Sequence, residues 1–167
     1  MNISILIPVN NFDLIAFVQS LKNGMSSVPE FSEILIGDDG SSEDYRRMYR
    51  SLECENIRLI VSEKNIGRAS IRNRLIIEAK GDYLIFIDAD AMLPGTAEVF
   101  MSNWLKYLTT ARVLCGGIIY HHSPPGDPEK TLRWKYGIKR EMKKASERNK
   151  RSEERREGKS VDLGGRR

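Results

Sequence analysis

The chain has 167 residues, 40% hydrophobic and 8% aromatic, enough to bury one sizeable core and too few for two full domains. Charged residues make up 30%, and no apolar run reaches the roughly 20 residues needed to cross a bilayer, which excludes a transmembrane segment in this sequence. The net charge of +4 does not argue for nucleic acid, because residues 1–126 carry 12 Lys and Arg against 15 Asp and Glu, whereas residues 127–167 carry 15 against 8.

Short runs rich in Ile, Leu and Val alternate with longer amphipathic stretches, so the expected fold is α/β, a mostly parallel sheet of about five strands flanked by helices. The first strand is expected over 3–8. Leu14, Phe17, Val18, Leu21 and Met25 then fall at three- and four-residue steps, an apolar stripe on a helix that Gly24 helps to end. A second strand over 33–37 leads to a helix capped by Ser41 or Ser42, with Glu43 and Asp44 in its first turn, where the helix dipole favours negative charge. The third strand is expected over 57–62 and the third helix over 68–79, with Ile71, Leu75, Ile76 and Ala79 buried. A fourth strand over 83–88, a helix opened by Pro94 and a fifth strand over 113–120 complete the pattern. Cys54 and Cys115 lack partners at metal-ligand spacing and are expected to be thiols. The opening residues lack the features of a signal peptide, so the chain is expected in the cytoplasm, free or peripheral to the inner face of the membrane.

Parallel strands joined by helices place a ligand site at the carboxyl ends of the strands. There the sequence reads Pro8-Val9-Asn10-Asn11, Asp38-Asp39-Gly40-Ser41 and Asp88-Ala89-Asp90. Four carboxylates on one edge repel unless a cation or hydrogen-bond donors offset them, so a divalent metal or polar ligand is expected. Strand alternation would put Asp88 and Asp90 on one side. The competing view is that these Asp residues only cap turns and helix starts. The third helix opens after Lys64-Asn65-Ile66-Gly67, and Arg68 and Arg72 share one of its faces, turned toward the acidic edge, a ligand phosphate or solvent.

In order and spacing, Ile-Pro-Val-x-Asn, Asp-Asp-Gly-Ser, Asn-x-Gly-x-x-x-x-Arg-Asn and Asp-x-Asp resemble the nucleotide-binding half of the family 2 glycosyltransferases, of GT-A fold, over about residues 1–120. The resemblance implies an enzyme that transfers a sugar from a nucleotide-diphospho-sugar, a UDP-sugar by preference, to a glycan or lipid-linked acceptor in polysaccharide biosynthesis. By the same resemblance the backbone at Pro8, Val9 and Asn10 and the side chain of Asp39 hold the nucleobase, with Asn65, Gly67 and Arg72 beside it. Asp88 contacts the ribose, and Asp90 binds Mn²⁺ or Mg²⁺ on the diphosphate, where the metal acts as Lewis acid. Asn10 departs from the family's usual aromatic residue and Ile71 from its usual Ala. The alternatives are a non-catalytic nucleotide-sugar-binding fragment or a nucleotidyltransferase on the same architecture.

The expected organisation is a nucleotide-sugar-binding domain over 1–126, a basic helical segment over 127–150 that opens the acceptor half, and a tail over 151–167. Leu132-Arg133-Trp134-Lys135-Tyr136-Gly137 resembles a segment of a bacterial branch of the family, or uses Trp134 and Tyr136 as packing anchors. His121 and His122 read as loop residues. Glu141 and the later glutamates lack a context that would fix them as the general base an inverting transferase needs, so the chain reads as a truncated donor-binding half. Residues 151–167 resemble a translated sequencing adapter and are expected to be a non-native, disordered tail, with nothing packed from about Lys143 onward.

Overall fold

Isoleucine and leucine on both faces of a strand demand cover on both sides, and the first run supplies it at Ile3, Ile5, Leu6 and Ile7, all fully buried. The computed structural model describes residues 1–110, 113–120 and 122–148, so His121 and the 151–167 tail lie outside the described residues. Strands β1 (Ile3–Val9), β2 (Phe31–Asp39), β3 (Ile57–Ser62) and β4 (Tyr83–Phe86) form one parallel sheet in the order β3-β2-β1-β4. The chain lays β2 and β3 outward on one side of β1 and then returns to place β4 on the other. The strand order therefore reverses between β1 and β4, the position at which α/β sheets open a crevice for ligands.

Helices α1 (Ile15–Ser27), α2 (Glu43–Ser51), α3 (Arg68–Glu78) and α4 (Ala97–Leu105) complete a first compact unit, Met1–Lys106. Leu75 of α3 packs with Leu6 and Leu35, joined by Ile60, Ala79 and Phe86. Gly37 allows this: a Cβ there would stand 2.8 Å from Leu75. The expected stripe on α3 is narrower than its spacing suggests, since Ile71 and Leu75 are buried but Ile76 is 45% exposed. Gly24 does not end α1. It lies inside the helix and is buried, because a Cβ there would meet Ala97 Cβ of α4 at 2.8 Å, so the glycine sets how closely the two helices approach. Thr96 Oγ1 caps α4 by accepting the Val99 N–H, which leaves Pro94 outside the helix it was expected to open.

One ionic network lies at the start of the strands. Ser4 Oγ donates to Glu33 Oε1 at 2.6 Å, the Lys80 N–H donates to the same oxygen at 2.6 Å, and Arg58 reaches Oε2 at 2.9 Å. Gly81 N–H closes the loop onto Ser4 Oγ. Burial alone would push the Glu33 carboxyl up, but the Ser4 and Lys80 hydrogen bonds and the Arg58 guanidinium prevail and hold it below its ordinary value.

The described residues from Tyr107 on form a second unit. Among the described residues the expected fifth strand does not form: 113–120 makes an antiparallel bridge, Ile118 with Lys143, and Val113 and Ile119 stay 56% and 78% exposed. Helix α5 (Pro128–Tyr136) starts ahead of Leu132, with Pro128 in its first turn and Asp127 Oδ1 accepting the Glu129 N–H, and it passes into a π-helical turn over Gly137–Glu141. Nor is the chain unpacked after Lys143. Besides that bridge, an Arg148 guanidinium N–H donates to the Gly116 carbonyl, and the missing side chain of Gly117 admits the backbone of Ala145. Glu141 is held as well: Tyr120 O–H donates to its Oε2, and Arg133 pairs with the same oxygen at 2.9 Å. The Tyr120 ring lies over Gly137, where any Cβ would collide with it. Among the described residues no helix is long and apolar enough to cross a membrane.

Because the folded Glu33 carboxyl sits below its unfolded value, its contribution is fully present above the unfolded pKa of about 4.3 and is lost as pH falls through the lower folded value. Urea unfolding should therefore show the wild type losing stability as pH falls from about 5 toward 3, with Glu33→Gln flatter over that window and roughly 2–3 kcal/mol less stable at pH 7.

Candidate functional site

The turns after β1, β2 and β3 are tied together at the carboxyl edge of the sheet, and Asp39 is the knot. Its Oδ1 accepts the Ile66 N–H at 2.7 Å and its Oδ2 the Gly67 N–H at 3.1 Å, while its backbone carbonyl accepts from Asn10 Nδ2 at 2.8 Å. One residue thus reaches the loop after β1 through its backbone and the entry to α3 through its side chain. Gly40 makes the approach feasible. It holds φ +76°, and a Cβ there would lie 2.3 Å from the Asn65 nitrogen, so neither its conformation nor its surroundings admit a side chain.

Asn11 takes φ +49°, a left-handed conformation that Asn tolerates. Its N–H donates to Ser41 Oγ and its Oδ1 accepts the Ser42 N–H, so the β1 and β2 turns grip each other twice more. Tyr49 of α2 completes the clamp: its hydroxyl accepts the Phe12 N–H and donates to the Phe12 carbonyl. The ring is fully buried, and burial pushes the phenol up, so it remains the neutral donor that the second bond requires.

The four carboxylates therefore do not form one cluster. Asp38 is fully buried; its Oδ1 accepts the Ser41 N–H, and its Oδ2 meets Arg46 Nε at 3.1 Å. Arg46 extends the brace to the Ser62 and Glu63 carbonyls. Asp38 is a structural acid, and Asp39 spends both carboxylate oxygens on backbone N–H groups. Asp88 and Asp90 do not share one face of a strand, because β4 ends at Phe86 and the Ala91 N–H donates to the Asp88 carbonyl, closing a turn over 88–91. Asp88 pairs with Arg68 at 2.9 Å and with Arg72, whose guanidinium lies 5.2 Å from the Phe86 ring centroid. Arg68 and Arg72 thus both turn to the acidic edge. Asp90 is exposed and engages no described residue. Among the described residues no three His, Cys, Asp or Glu side chains converge as a metal cage.

Of the residues expected at the site, Pro8 is half-buried, Val9 buried and Asn10 exposed at the end of β1, with Asn65 exposed and Gly67 half-buried at the mouth of α3. Gly67 takes φ +91° with nothing within 4 Å of where its Cβ would be. The Arg46 brace and the Tyr49 clamp escaped the sequence because their partners lie 8 to 37 residues away. Gly40 carried a signal, as the glycine directly after an acidic pair.

A parallel sheet in the order β3-β2-β1-β4, with an Asp-x-Asp turn at its switch point, is the core of the GT-A fold. The fold is shared with solved structures of Staphylococcus aureus TarS 1-349 in complex with UDP-GlcNAc, at a TM-score of 0.55 and 21% identity over 77% of this chain and 37% of that one. It is also shared with glucosyl-3-phosphoglycerate synthase from Mycobacterium tuberculosis in complex with Mn²⁺, UDP and glucosyl-3-phosphoglycerate, at 0.51 and 20% over 72% and 44%. The mannosyltransferase PcManGT from Pyrobaculum calidifontis, in complex with GDP-Man and Mn²⁺, aligns at 0.52 and 16% over 80% and 38%. The profile of Glycosyl transferase family 2 matches residues 4–158, and the chain belongs to that family. A glycosyltransferase of Rickettsia bellii is 31% identical over 88 residues, 53% of this chain and 13% of that protein. The poly-beta-1,6-N-acetyl-D-glucosamine synthase of Staphylococcus aureus is 29% identical over 89 residues, 53% and 22%. The chain thus spans less than a quarter of the length of these curated relatives.

Removing the charge at Asp38 should separate structural from functional acids. Asp38→Asn strands the Arg46 brace and should lower stability by about 2 kcal/mol, whereas Asp90→Asn should stay within about 0.5 kcal/mol of wild type, both by urea unfolding.

Proposed function

We propose that the edge formed by Pro8 to Asn10, Asp39, Gly67, Arg72, Asp88 and Asp90 binds the nucleoside diphosphate of a sugar donor, UDP in the first instance. The protein on this reading is a glycosyltransferase, and this chain is its donor-binding part. The observation that carries the proposal is the pairing of a tightly braced carboxylate with a free one in the same short turn: Asp88 is held by two arginines, and Asp90 projects unpartnered. A metal-borne diphosphate needs an accessible carboxylate, and Asp90 supplies one two residues from the paired Asp88. UDP, UDP-GlcNAc and GDP-Man in the sites of the solved relatives support a nucleotide donor, and the Mn²⁺ in two of them supports a divalent cation.

The donor set suits a metal that arrives with its ligand. Mg²⁺ and Mn²⁺ are commonly held by one or two carboxylates plus phosphate oxygens and water, so a single free aspartate is sufficient. Asp90 would hold the ion, and when bound the ion would act as Lewis acid for the departing nucleoside diphosphate. The residues of the chain do the rest. The Asp39 knot keeps the base-side loops rigid, and the exposed end of β1 offers backbone groups to the base. Arg72, lying over Phe86, would hold the Asp88 carboxylate in place for a ribose hydroxyl. The acceptor, a glycan or lipid-linked sugar, and the base that takes its proton belong to residues outside this edge.

Titration calorimetry with UDP in Mn²⁺ and in chelator tests the proposal. Binding should be strong only with Mn²⁺, and Asp90→Ala should weaken it by roughly tenfold to a hundredfold. Equal affinity in chelator, or Asp90→Ala with full Mn²⁺-dependent affinity, would remove Asp90 from the role.

A further inference from the structure

We infer that Arg68 is the residue by which the donor site discriminates a nucleoside diphosphate from a bare nucleoside, moving from Asp88 onto the diphosphate when it binds. The inference rests on the donor-site reading above and adds a residue to it.

The two arginines on Asp88 are not equivalent. The Arg72 side chain is 32% exposed and backed by the Phe86 ring, so it stays where it is. The Arg68 side chain is 75% exposed and meets Asp88 through one guanidinium nitrogen, leaving the rest of a flat fork of N–H donors toward solvent. An exposed ion pair of this kind is worth little, and Asp88 keeps its partner Arg72 if Arg68 leaves, so the exchange strands no charge. Position supports the exchange. Arg68 follows Gly67, whose α-carbon faces open space, so no side chain screens the mouth of α3 from an approaching ligand. Asp90 lies two residues beyond the carboxylate that Arg68 holds. A cation on Asp90 would neutralise only part of a diphosphate, and guanidinium is well suited to the phosphate oxygens left over. The Ile66 and Gly67 N–H groups cannot serve instead, since Asp39 already occupies them.

The test is calorimetry on the full chain with saturating Mn²⁺, comparing UDP with uridine. Arg68→Ala should weaken UDP by about tenfold or more and leave uridine within about twofold, with Arg68→Lys between wild type and Ala for UDP. Arg47→Ala, which removes a similarly exposed arginine from α2, should change neither. Equal losses for UDP and uridine would mean that Arg68 acts through Asp88, and an equal loss in Arg47→Ala would mean that net charge is responsible; either overturns the inference, as does an unchanged UDP affinity in Arg68→Ala. If the wild type binds UDP and only these outcomes appear, the donor site stands without Arg68. If the wild type binds no UDP, the donor site itself falls and this inference with it.

Discussion

Everything at the carboxyl edge of the sheet depends on the grip of Asp39 on the entry to α3. The turn that leads into α3 leaves the Ile66 and Gly67 N–H groups in need of acceptors, and a carboxylate is the strongest acceptor a side chain offers. Supplying it from the end of β2 makes one residue the bond between the loops after β2 and β3. The position of α3 relative to β2 follows, and Arg68 and Arg72, four residues apart on that helix, are delivered to Asp88. Without the grip, the arginines and the aspartates would share a surface but not a geometry.

Around that grip the protein divides its acids by burial. Asp38 is wholly inside and paired, Asp39 is inside and satisfied by backbone, Asp88 is at the rim between two guanidinium groups, and Asp90 is in solvent. A buried carboxylate is tolerable only when its lone pairs are met, and the inner two are met by backbone N–H groups and Arg46. The outer ones keep freedom to exchange partners, which a ligand site requires. Within a single short edge the same residue type thus serves two ends, and depth below the surface decides which. The same logic governs Glu33 at the opposite end of the strands, where three donors make a buried charge stable and no ligand is implied.

Glycine does complementary work. Gly24, Gly37 and Gly40 each occupy a place where a Cβ would stand within 3 Å of a neighbouring element, so they set how near the elements come. Reading Gly24 as a helix stop used its conformational freedom, and the structure uses its lack of volume instead. Gly137 repeats the lesson in the second unit, where it lies beneath the Tyr120 ring.

By itself the sequence determined the α/β alternation, four parallel strands within a few residues of their bounds, the helices between them, and the loops in which site residues would lie. Those features arise from neighbours in the chain: runs of branched apolar residues, three- and four-residue steps, a serine before acids. It could not determine which aspartates were free, whether Gly24 broke its helix, whether Glu141 was anchored, or whether 113–120 had a neighbour to pair with. Each of these depends on a partner distant in the chain: Asp39 on Gly67, Gly24 on Ala97, Glu141 on Tyr120. Local pattern records what a residue prefers. Folding decides what it meets, and burial with a partner is what separates an aspartate that holds the fold together from one left free to hold a ligand.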